Sequence, residues 1–96
     1  MKSVEALVEL DADPTRHYRL PAAGTPSLLY VFGPDQKLGA RAYCGNGEDF
    51  APGTRHEQVR LDFWADDEWT DVVVPGATFI IWYGSDVGRG VVKSLR

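Results

Sequence analysis

The sequence predicts an all-β domain of six short strands, closed most economically as a small barrel. Three observations carry this. Apolar residues recur at every second position in short runs, Pro-Gly and Gly-rich clusters separate those runs, and no stretch shows convincing helical spacing. The 96 residues suffice for one domain and exclude an enzyme with separate cofactor and substrate lobes.

In the first run Val4, Ala6, Val8 and Leu10 alternate with Glu5, Leu7 and Glu9. Leu28–Phe32 is a compact apolar run rich in aromatic and β-branched residues. Leu38, Ala40, Ala42 and Cys44 then share one face, as do Val59, Leu61 and Phe63. Phe79–Tyr83 and Val87–Leu95 complete the six. All suit a pleated, half-buried surface. The nearest helix candidate, Arg55–Trp69, places its apolar residues at i, i+2, i+4, which is strand spacing. Pro52-Gly53 and Pro75-Gly76 match the central pair of a type II turn, so each should precede a strand. Six strands without helices bury their apolar faces best by closing on one core.

Charge and chemistry narrow the function. Ten Lys and Arg against fourteen Asp and Glu give a net charge of −4, which disfavours general nucleic-acid binding through phosphate neutralisation. With one cysteine, Cys44, no intrachain disulfide is possible. Together with the absence of an apolar leader after Met1, this fits a cytoplasmic setting. The longest apolar run, Phe79–Tyr83, is too short to span a bilayer. Cys44 with His17 or His56 is a conceivable nucleophile and base, but a cysteine on an alternating apolar face reads first as core. Asp66, Asp67, Glu68 and Asp71 around Trp69 lack the ordered spacing and turn glycine of a calcium loop and read as a solvated hairpin. The glycines of 84–90 lead into a strand rather than a helix, so a turn and barrel closure fit better than a phosphate cradle. No cofactor, metal or nucleotide is expected, and no catalytic constellation stands out.

Two features invite binding. Residues 11–27 form an unusually long connection carrying Arg16, His17 and Arg19, and such loops are often functional. Trp64 and Trp82 fall on the strand faces opposite the core, where exposed aromatics would mark an interface.

The closing segment Phe79-Ile80-Ile81-Trp82-Tyr83-Gly84-Ser85-Asp86-Val87-Gly88-Arg89-Gly90-Val91-Val92-Lys93 resembles the end of the third domain of elongation factor Tu. There a strand, a Gly-containing turn and a Val-Gly-x-Gly-Val-Val strand close a six-stranded barrel. Val4-Glu5-Ala6, Arg16-His17, Gly24-Thr25-Pro26 and Pro52-Gly53 follow in the family's order. The resemblance implies a six-stranded antiparallel Greek-key barrel over residues 1–96, like small free-standing bacterial relatives of that domain. The family's GTP-binding domain and second barrel have no counterpart here, and its basic Gly-Gly-Arg-Thr turn is replaced by the acidic Gly84-Ser85-Asp86. The expected function is therefore a non-catalytic module binding protein partners, with Arg16, His17, Arg19, Trp82 and Arg89 as the candidate surface. Retained tRNA contact is one alternative, and mimicry of the elongation-factor barrel to compete for its partner is another.

Overall fold

A computed structural model describes residues 2–13, 15, 17–21, 23–25, 28–33, 36–45, 47–64 and 72–95. Among these the structure is all-β, with strands β1 (Lys2–Leu10), β2 (Ala23–Thr25), β3 (Leu29–Gly33), β4 (Gln36–Cys44), β5 (Arg55–Phe63), β6 (Thr78–Trp82) and β7 (Asp86–Leu95). All pairings are antiparallel, and the order β4-β3-β6-β7-β1-β5 closes on itself through the β4–β5 ladder. The result is a closed six-stranded barrel. Consecutive β3, β4 and β5 lie side by side and β6 returns beside β3, which is the Greek-key order. The helix candidate Arg55–Trp69 is strand over Arg55–Phe63.

Each expected strand is present, and β2 adds a seventh outside the ring, paired only with β4. The inward residues are those of the period-two runs: Val4, Ala6 and Val8 of β1, Ala40 and Ala42 of β4, Leu61 and Phe63 of β5. Small residues facing large ones let a narrow barrel fill without a pore. At the centre Tyr30 meets Phe63 and Phe79 edge-on, with ring centroids 5.8 and 5.6 Å apart.

Closure depends on two glycines. Gly88 and Gly90 of β7 are buried against β1, where a Cβ on Gly90 would overlap the Leu7 carbonyl oxygen and the Phe79 ring. Arg89 between them faces outward. Both Pro-Gly pairs make turns before strands, with φ of +80° at Gly53 and +87° at Gly76.

The long connection after β1 is not free of structure. Asp11 N–H bonds the Val87 carbonyl, Tyr18 packs edge-on to Tyr83 at 5.4 Å, and Leu20 exchanges two 2.8 Å backbone bonds with Phe50. Its described residues cover one end of the barrel, where its own Leu20 is buried with Phe50. A barrel of open-ended strands must cap its core, and this segment does so.

Candidate functional site

Because Tyr30, Phe79 and Ile81 point inward, their neighbours on β3 and β6 must point out. The register lines these up in two rows across the barrel wall. One runs Lys37, Val31, Ile80, Arg89, Glu9. The other runs Gly39, Leu29, Trp82. Trp64, from the end of β5, lies over Gly39, where a Cβ would come within 2.7 Å of its ring. Glycine at this position therefore seats the tryptophan on the sheet.

The outer face thus carries Trp64, Leu29, Trp82, Val31 and Ile80 side by side. Trp64 is 47% exposed and Ile80 40%. A groove of about 530 Å³ lies between Val31, Phe32, Phe79 and Ile80, with Arg89 at its rim. The Lys37 ammonium sits 5.3 Å over the Trp82 ring, and Arg89 Nε lies 3.8 Å from Glu9. Both flanking cations belong to a chain of net charge −4. An apolar stripe edged with charge has the composition of an interaction surface.

The residues expected from the sequence divide into two groups. Trp82 and Arg89 share this outer face on adjacent strands. Arg19 lies on the barrel-end cover, 3.6 Å from Asp49, and His17 is exposed on the same segment. Tyr18 against Tyr83, and Asp11 N–H on the Val87 carbonyl, join the cover segment to the β6–β7 end. Arg16 lies outside the described residues, as does the acidic run Asp66, Asp67, Glu68 and Asp71 with Trp69. Leu29, Val31, Ile80 and the Trp64–Gly39 seat were missed, because cross-strand register is what makes them neighbours.

A second arrangement sits at the covered end. Cys44 Sγ lies 3.1 Å from His56 Nδ1, and His56 Nε2 lies 2.9 Å from Thr54 Oγ1. The Thr54 hydroxyl donates its single proton to the Ala51 carbonyl at 2.7 Å, so towards His56 it can only accept. His56 is thereby the Nε2–H tautomer, and its bare Nδ1 accepts from the thiol. The ring is fully buried and packs against Phe50 at 4.9 Å. The pairing of Cys44 with His56 rather than His17 is visible only in the fold. Thr54, two residues before His56 and just ahead of β5, is the sequence signal that was available.

Burial holds the His56 imidazole below its ordinary value near 6.5, partly opposed by the Glu48 carboxylate. An unfolded chain would take up a proton that the folded ring resists. This contribution to stability is complete above about pH 6.5 and is lost as pH falls below it. Urea midpoints measured from about pH 8 to about pH 5 should decline on the acid side. His56→Gln should flatten part of that decline.

Among the described residues no group of three or more His, Cys, Asp or Glu is placed to hold a metal ion. Among them, too, no helix is long and apolar enough to cross a membrane. No known protein-family model and no curated protein matches this chain.

Proposed function

We propose that the chain is a non-catalytic binding module of the bacterial cytoplasm, related to the third barrel of elongation factor Tu, that acts by docking a protein on its outer β3–β6–β7 face. The observation that carries this reading is the pair of adjoining rows, Trp64, Leu29 and Trp82 beside Val31 and Ile80, on the outside of a closed barrel. A barrel needs no such side chains outside for its own core. Among the described residues the six strands of the ring are each paired on both sides, so this outer face would recognise a partner through side chains rather than strand addition.

The fitting partner presents apolar side chains flanked by carboxylates, which would meet Lys37 and Arg89. Such a surface suits protein better than nucleic acid, whose phosphates require clustered cations.

Ile80→Asp tests the reading, because it puts a carboxylate in the middle of the stripe without touching the core. Binding of the partner captured by the wild-type protein should weaken at least tenfold, about 1.4 kcal/mol or more. Arg89→Glu should weaken it less and remove part of its salt dependence. Titration of tRNA at low salt should show no saturable binding. Steeply salt-dependent tRNA binding, unaffected by Ile80→Asp, would reject the proposal.

A further inference from the structure

The β3–β6 ladder is shorter than the strands that form it. Pairing stops at Val31–Ile80, although β3 runs on to Gly33 and β6 starts at Thr78. The groove of about 530 Å³ lies where the two strands cease to bond to each other. We propose that this cleft binds a flat apolar monocarboxylate, an arylalkanoic acid by class, with its ring between β3 and β6 and its carboxylate on Arg89. The cleft adjoins the docking rows, but a small-molecule site needs no protein partner and goes beyond the docking proposed above.

The interrupted ladder gives the cleft its depth. Phe32 and Gly33 on β3, and Thr78 and Phe79 on β6, lie beyond the last paired positions, and all four line the cleft with Val31 and Ile80. An unbroken sheet shows solvent only its outward side chains, because successive residues point to opposite faces. Here the lining also includes Phe79, a core residue that is 2% exposed, and the half-buried Phe32. Their rings lie 5.2 Å apart at a tilt of 42°. The cleft therefore reaches from the outer wall down to the aromatic core, with Val31 and Ile80 at its sides.

This shape selects the apolar part of the ligand. Small-ligand sites are concave, roughly 300–1,000 Å³ in volume, and mostly apolar with a few placed polar groups. Gly33 and Gly90 line the cleft and add no side chain to fill it. Two phenyl rings at the floor favour an aromatic group, which gains edge and offset contacts beyond the area it buries. The aliphatic sides suit the flat faces of the same ring.

Arg89 selects the polar part. It stands opposite Ile80 on β7 and supplies the only charged side chain among the described residues of the lining. Its Nε lies 3.8 Å from Glu9, beyond hydrogen-bond distance, and the two side chains are 70% and 43% exposed. Such a contact contributes little and yields readily to a better acceptor. Among the described residues the guanidinium makes no other ion pair, so its donors are open to a carboxylate held by two parallel N–H···O bonds. The Thr78 hydroxyl is a further donor in the lining.

A single guanidinium matches one negative charge. A phosphate ester would call for clustered cations, and the next one, Lys37, is stacked over Trp82 outside the lining. A cationic ligand would meet Arg89 as a like charge. Ile80 and Arg89 serve both the cleft and the docking face, so Thr78 is the position that separates them. Thr78→Phe fills the cleft from an exposed site and leaves Trp64, Leu29, Trp82, Val31 and Ile80 in place.

The test titrates the folded full-length chain with 2-naphthylacetate, its neutral amide and the corresponding naphthylethylamine. Affinity is read by calorimetry and location by amide NMR shifts. The carboxylate should saturate with a Kd of about 1 mM or lower, at least about fivefold tighter than the amide, and the amine should bind weakest. The largest shifts should fall on Phe32, Gly33, Thr78 and Phe79. Arg89→Gln should erase the preference for carboxylate over amide, and Thr78→Phe should abolish binding of both. Equal affinity for carboxylate and amide, shifts centred elsewhere, or no saturation by about 10 mM would overturn the proposal. No protein partner enters these readings. Failure of the probe alongside partner capture that is lost in Ile80→Asp would remove the ligand site and keep the docking face. Probe binding in the cleft with capture unaffected by Ile80→Asp would do the reverse.

Discussion

Gly90→Ala is expected to destabilise the barrel by about 3 kcal/mol or more, a large part of the roughly 5–15 kcal/mol that holds a domain of this size. A single methyl group is enough. It would overlap the Leu7 carbonyl oxygen on β1 and the Phe79 ring, and the first of these is backbone that cannot rotate away. Relief requires β7 to part from β1, where Gly90 pairs with Val8 and Arg89 with Glu9, so the damage falls on ring closure itself. Gly84→Ala is the informative control. Nothing lies within 4 Å of that position, but its φ of +80° penalises any side chain, by about 1 kcal/mol. Urea denaturation of both variants separates the effects. Equal midpoint losses would mean that Gly90 does not seat β7 on β1.

Tyr30→Ala is expected to cost about 3–5 kcal/mol, because it empties the centre of the Tyr30, Phe63 and Phe79 cluster, where Tyr30 is 1% exposed. The same residue sets an alkaline limit. Burial holds its phenol well above the ordinary value near 10. Above about pH 10 the unfolded chain loses this proton while the folded one retains it. The unfolded state is then favoured, and stability falls by on the order of 1 kcal/mol per pH unit. Tyr30→Phe keeps the ring and removes the ionisation, so its urea midpoint should hold up at high pH where that of the wild type drops. Parallel decline of the two proteins would place the alkaline sensitivity elsewhere.

The strands were legible because the barrel asks each run for one buried face, and alternation such as Val4, Ala6, Val8, Leu10 states that directly. The spacing of Gly88 and Gly90 likewise puts both on one face with Arg89 on the other, since i and i+2 share a face, and the structure makes the glycine face the inward one. Legibility failed where the pairing partner, not the local pattern, decides. His56 reads as a surface residue next to Glu57, and only a β-bulge in the β1–β5 pairing turns it into the core beside Cys44. Leu29, Val31 and Ile80 read as ordinary strand residues, and their coincidence on the outer wall follows from register. Gly39 carries no turn signal, because its role is to receive Trp64 from another strand. The connection 11–27 was read by length as a binding loop. Its Tyr18 and Leu20 pack inward as a cover, leaving His17 and Arg19 at its surface.

These considerations put the outer face at the centre of the account, and one comparison tests it most directly. Wild type, Ile80→Asp and Lys93→Glu, the last on an exposed position away from the stripe, are each immobilised and exposed to the same bacterial extract. The captured protein is then purified and its affinity for each is measured. The account predicts equal binding to wild type and Lys93→Glu and at least a tenfold loss with Ile80→Asp, all three retaining the same urea midpoint. Undiminished binding to folded Ile80→Asp would contradict it.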